Sequence, residues 1–381
     1  MKKLTIKYLI FLAILATHVN AIELGEYLRI NGFATVGIST VAEEGQEFRA
    51  YTFQQDGVRE GEINYVNNTL FGLQGEVMFT NNISATVQGI VYNDHDKHYT
   101  ADVDWAYLSY RTGFDLTLRA GKFRLPLFKS SELTYIGYAR TWVRPALPFY
   151  GIGGFEHFTG VDAIYNTHLG QTDISVQVGY GIGDEHATPN GIYREFKSDN
   201  LLTSKLTLEQ EIGSFSMTYF RGDSDFFMQR QNGKVLQDTT VLVQMISAEA
   251  EIHYEGFGLE AGIGRGWVDK VQPDELLIYT GAYYQIEEWR PYLLYSFKEF
   301  EHKEVTAPSP PPGAPLPPPS PGDVAENIYS IGLRYDFMDQ ADLKLQIDQI
   351  DGMKSNPQLL FSDDQNDRKA TAFTLAVDMV F

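Results

Sequence analysis

Residues 246–254 read Ile-Ser-Ala-Glu-Ala-Glu-Ile-His-Tyr. In an extended chain Ile246, Ala248, Ala250, Ile252 and Tyr254 share one face, and Ser247, Glu249, Glu251 and His253 share the other. Just beyond, Phe257, Leu259, Ala261 and Ile263 resume the alternation opposite Glu260. Glu255-Gly256 between them is then a tight turn joining two antiparallel strands, each with one apolar and one polar face.

The same period of two extends in both directions. Towards the N-terminus, Leu28, Ile30, Ala34, Val36 and Ile38 oppose Arg29, Asn31, Thr35 and Ser39. Ile83, Ala85, Val87 and Val91 oppose Ser84, Thr86 and Gln88. Towards the C-terminus, Leu343, Leu345 and Ile347 oppose Lys344, Gln346 and Asp348, and Phe373, Leu375, Val377, Met379 and Phe381 share the face of a final strand. Only Asp102 to Arg111 resists assignment of its faces. About sixteen strands result. Their connections alternate: short turns near 81–82, 112–113, 167–171, 212–213, 255–256, 287–288 and 338–340 separate long segments at 42–66, 93–100, 125–157, 181–198, 222–240, 266–274, 301–325 and 351–368. Short turns on one rim and long loops on the other are the pattern of a transmembrane antiparallel β-barrel. Closing the sheet pairs every backbone group inside lipid. A soluble β-sandwich or solenoid explains the alternation but not the alternating connections.

Composition fits this reading. The chain has 381 residues, a net charge of -20, 13% aromatic residues and no cysteine. Acidic charge excludes a nucleic-acid partner. Lys2, Lys3 and Lys7, an apolar run from Tyr8 to Ala16 and Val19-Asn20-Ala21 form a signal peptide over residues 1–21, which places the barrel in 22–381 and the protein in the outer membrane. Removing it takes away three lysines and no acid, so the remainder is more acidic still.

Against that charge, Arg119 to His157 is basic: Arg119, Lys122, Arg124, Lys129, Arg140 and Arg144 against Glu132 and Glu156. It is long, rich in aromatic residues and without alternation after Phe123. Loops of that length are commonly functional, and its aromatics argue for an ordered loop packed against something. The leader, the sixteen strands, a long third loop and the closing Thr-Leu-Ala-Val-Asp-Met-Val-Phe together resemble the Gram-negative outer-membrane porins, over the whole chain after the leader. The resemblance implies a general-diffusion, homotrimeric channel for small hydrophilic solutes and ions. It also implies that the third loop (125–157) folds into the lumen as a constriction, and that Phe381 is read by the barrel-assembly machinery. The partners would be outer-membrane lipid and lipopolysaccharide, and no cofactor is implied. The chain departs from the best-known porins in lacking their acidic third-loop motif; residues 148–156 hold glycines and one acid.

The expected constriction consists of Arg119, Lys122 and Arg124 at the end of the fifth strand, Arg140 and Arg144 on the loop, and the acids Glu132, Asp102 and Asp104. A ring of cations there would draw anions, whereas pairing with wall carboxylates would pin the loop. The acidic first and last loops read as solvated surface, and the nine prolines within 307–321 as an extended external spacer. No motif marks a nucleophile beside a histidine, so no catalytic residue and no metal site are assigned. A substrate-selective anion porin, a barrel enzyme and an adhesin are the alternatives.

Overall fold

The computed structural model describes residues 22–24, 27–49, 57–93, 99–151, 156–187, 192–230, 232–269, 274–300, 324–352, 360–362 and 369–381. The leader, the proline-rich 307–321, His95, His98 and the acids of the last loop lie outside them.

Sixteen strands form the wall. They are β1 (Leu28–Val41), β2 (Leu70–Met78), β3 (Ile83–Asn93), β4 (Tyr99–Arg111), β5 (Leu116–Arg124) and β6 (His157–Leu169). Then follow β7 (Thr172–Ala187), β8 (Ile192–Gln210), β9 (Gly213–Arg230), β10 (Val235–Tyr254) and β11 (Phe257–Val268). The last five are β12 (Glu275–Tyr284), β13 (Trp289–Phe300), β14 (Val324–Met338), β15 (Ala341–Gly352) and β16 (Lys369–Val380). Each pairs antiparallel with the next. β1 closes the ring, pairing with β2 on one edge and with β16 on the other. A short strand, Ile22–Leu24, continues that second edge along Leu28–Ile30.

The two faces follow the alternation. Leu73, Val87, Val161, Ile263 and Leu293 point out of the barrel, and Leu293 is 59% exposed. With no free sheet edge, such a belt is stable only against lipid. The opposite face is polar yet dry: Ser39, Gln88, Asp162, Glu249, Lys344 and Asp378 are all buried. Something fills the lumen beside them.

Two expectations change. Residues 181–198 and 222–240 are mostly strand rather than loop. β7 to β10 reach 16, 19, 18 and 20 residues, while spanning a bilayer takes about ten. That side of the wall therefore rises past the lipid. There the outward positions are Asp184, Lys197, Asp223 and Asp225, all exposed; facing water, they need not be apolar, so the alternation fades. Register shifts at Gly181/Gly183 and Asp199/Leu202 added glycine and aspartate, which mimic turn signals. The second change is in β4. A register shift opposite Gln88/Gly89 inserts an extra residue at Asp104, which is why Asp102 to Arg111 showed no consistent faces.

Candidate functional site: the lumen and the third loop

The third loop leaves the wall after β5 and rejoins it at β6, its ends tied by Leu125 N–H donating to the Glu156 carbonyl at 2.8 Å. Between them it makes a circuit of the lumen. Three prolines and two single-turn helices, Ser131–Leu133 and Gly137–Ala139, give it shape without a sheet of its own. Its polar backbone is satisfied partly within the loop and partly by wall side chains such as Glu249, Gln346 and Lys344.

Along β8 to β13 the attachment is largely aromatic and apolar. Leu127, Phe128, Trp142 and Phe149 join Phe158, Leu277, Tyr279 and Tyr292 in one buried cluster. Phe149 meets Tyr279 edge-on at 4.7 Å between centroids, and Trp142 meets Tyr292 likewise at 5.7 Å. A side chain at Gly281 would collide with the Trp142 ring, so the wall is notched to admit it. Polar ends are completed at Glu249, whose carboxylate accepts from Lys129 N–H (2.6 Å), Tyr150 hydroxyl (2.6 Å) and Tyr279 hydroxyl (2.9 Å). Burial, then the neighbouring Glu249 charge, push the Tyr150 phenol well above its ordinary value, so it stays a donor. Lys129 Nζ pairs with Glu251.

Along β14 to β1 the attachment is ionic. Lys344, on β15, donates to the Gly137 carbonyl at 2.8 Å and to Asp378 at 2.9 Å, with Asp342 at 3.5 Å. Arg334 donates to the carbonyls of Tyr138 (3.0 Å) and Arg140 (2.6 Å) while paired with Asp342 at 3.1 Å. Tyr138 reaches the carbonyl of Asp339, in the turn after β14, at 2.7 Å. The loop thus descends to the short-turn rim on this side.

The residues singled out from sequence fall into separate clusters. Arg119 is held by Asp162, has Glu132 at 4.0 Å, and lies over the rings of Tyr107 and Phe123. Arg124 donates to Asp104 (2.8 Å) and Glu156 (2.9 Å), with the Tyr135 ring at 4.2 Å. Lys122 faces Asp102 at 3.8 Å, both partly exposed. Arg140 donates to the carbonyls of Leu133 and Thr134. Arg144 pairs with Asp348 at 3.3 Å and bonds Thr374.

Sequence reasoning passed over four participants. His157 contacts Asp104 through Nε2 (2.7 Å) and Glu185 through Nδ1 (2.9 Å). Both ring nitrogens face carboxylates, an arrangement that favours the protonated imidazolium. Lys344 and Asp378 stood on polar faces already read from the alternation; a lysine and an aspartate at lumen-facing positions of neighbouring strands was the available signal. Glu47, in the first loop, carried no signal beyond its charge.

On the β2 to β6 side, below the loop, a vestibule opens between Glu76, Thr86, Ser109, Thr117, Arg119 and Asn166. A closed sixteen-strand barrel, polar inside, with its third loop folded across the lumen is now complete. This is the porin fold. No family model and no curated protein sequence matches the chain; the likeness is one of structure. The outer-membrane channel DcaP of Acinetobacter baumannii superposes with a TM-score of 0.63 at 13% identity, over 95% of this chain and 100% of its own. An anion-selective porin from Comamonas acidovorans gives 0.58 at 12%, over 93% and 99%. OmpF of Salmonella typhi, in a complex with daunomycin, gives 0.56 at 11%, over 95% and 100%.

Proposed function

We propose that this chain is an outer-membrane porin of a Gram-negative bacterium: a narrow, passive diffusion channel for small hydrophilic solutes and ions, with no enzymatic activity. The observation that carries this is the third loop, held inside a closed polar lumen by contacts on nearly every side. A loop so placed narrows the water-accessible space inside the barrel.

The constriction is taken to lie where Arg119, held by Asp162 and near Glu132, faces the vestibule, with Arg124, Asp104, Arg140 and Arg144 shaping the loop around it and the Lys122–Asp102 pair on the wall beside it. Because each arginine is met by carboxylates or carbonyls, the loop's positive charge is largely cancelled, and selectivity is near-neutral despite the acidic chain. Two further parts of the proposal concern assembly. One is a homotrimer, supported by a neighbour described in trimer form, OmpT of Vibrio cholerae. The other is Phe381 as the residue read during insertion. Residues 1–21 serve as the export signal and 307–321 as a spacer outside the cell.

Planar-bilayer recording in a salt gradient tests the proposal. Discrete conductance steps with a small reversal potential are expected. A folded barrel that conducts nothing, or that turns over phospholipid or peptide, would falsify it.

A further inference from the structure

Residues 46–49 belong to a long loop on the open rim, where solvent is the default surrounding, yet Gln46, Glu47, Phe48 and Arg49 are each no more than 6% exposed. Two structures account for this. The first is a knot around one carboxylate. Glu47 accepts from Arg49 Nε at 2.7 Å, from Gly57 N–H at 2.8 Å and from Arg59 Nε at 2.8 Å, so that residues ten and twelve positions apart converge on it. The second is a small sheet across the mouth, in which Gln46–Phe48 pairs with Val58–Arg59 on one edge and with Leu360–Ser362 of the last loop on the other.

The knot aims Phe48 inward. Its ring lies under the Arg144 guanidinium, 4.9 Å from the centroid, and it clusters with Leu147 of the third loop. Of the remaining members, Val41 closes β1 and Val58 belongs to the first loop itself, while Ile328, Ile350, Ala370 and Ala372 continue the inward rows of β14, β15 and β16 beyond Asp348 and Thr374, where Arg144 is anchored. The first loop thus occupies the lumen directly above the third.

We infer that the first loop is a second, outer constriction on the solute path, with Phe48 as its wedge and Glu47 as the group that keeps it folded inward. The inference rests on the channel reading. It assigns size selection to two stacked loops: the third sets the bore, and the first restricts entry to it from the long-loop rim.

The test compares wild type with Glu47→Gln and Phe48→Ala, in planar bilayers and in liposomes swelling in sugars of graded size. Folding is checked by the heat-dependent gel mobility of the detergent-solubilised barrel. Both variants should fold, raise single-channel conductance about two-fold, and admit sugars that wild type excludes. Because the chain has no cysteine, Phe48→Cys with Leu147→Cys can be bridged by a short bismaleimide. The bridged form should keep wild-type conductance and the unbridged form should resemble Phe48→Ala. A conducting wild type with folded variants of unchanged conductance and sugar cut-off overturns the inference while leaving the channel intact. A wild type without conductance overturns the channel reading itself.

Discussion

The third loop is tied to opposite walls by different chemistry. Towards β8 to β13 it is held largely by aromatic rings in a notched wall; towards β14 to β1 it is held by a lysine, two arginines and three aspartates, with an apolar contact at Leu147. The aromatic side tolerates error at Phe149 or Trp142, because truncating that ring leaves a cavity and nothing charged. The ionic side does not, because removing one partner strands another in a place without water. The aromatic attachment sets where the loop lies, and the ionic one makes its position all-or-none.

The difference can be broken most forcefully by removing the loop. Deleting Leu133 to Tyr150 takes away most of both attachments and should raise single-channel conductance several-fold with the barrel still folded; unchanged conductance would place the loop outside the solute path. Next in size is Lys344→Met, which strips Asp378 of its cation and leaves Asp342 with Arg334 alone. Loss of one partner of a buried pair costs about 3–5 kcal/mol, read as a lower denaturant midpoint in micelles and noisier, larger current steps. Adding Asp378→Asn and Asp342→Asn should recover much of it. If the triple variant is as unstable as the single, the ionic account of this wall is wrong. Phe149→Ala should cost a comparable ~3–5 kcal/mol by cavity formation, but with no such rescue and no response to charge reversal elsewhere.

Acid gives a gentler probe. Burial raises the Glu47 carboxyl, but Arg49, the Gly57 N–H and Arg59 outweigh it and hold it below its ordinary value of 4.5. A depressed carboxyl stabilises the fold above that ordinary value and loses the contribution as pH falls through the depressed one. The first loop should therefore become protease-sensitive only below pH 4.5, before the barrel unfolds; release already at neutral pH would remove Glu47 from its role. The smallest effect belongs to Lys122→Gln. Its partly exposed pair with Asp102 contributes under ~1 kcal/mol, so stability should hold while the reversal potential drifts slightly towards cations.

How much of this was legible beforehand depends on what each residue faces. Where one side meets lipid, as at Val87 or Ile263, the alternation is enforced and the strand is plain. Where the outer side meets water, as at Asp184 and Asp225, nothing keeps that side apolar, and the tall strands passed for loops although Phe196 and Phe226 are buried on the inner side. The third loop announced itself by its length, its charge and its aromatics. Its partners did not, because contacts such as those of Lys344 with the Gly137 carbonyl and the Asp378 carboxylate join residues 207 and 34 positions apart, and only the folded barrel brings them together. The arginines were visible, and so was the alternative that wall carboxylates pair with them; that Asp162 and Asp348 were among the partners was not.

The seam between β1 and β16 has a consequence for how such a wall is made. Gly32 and Phe381 exchange backbone bonds, 2.7 and 2.9 Å long. The Phe381 ring covers Gly32, where any side chain would collide with it. The two strands that must meet are separated by all the others in order of synthesis. Until β16 arrives, β1 and the newest strand are both unpaired edges, templates for mispairing with another chain. A sheet with those two edges still open therefore has to be kept from its neighbours, and the Phe381 ring against Gly32 fastens them once they meet.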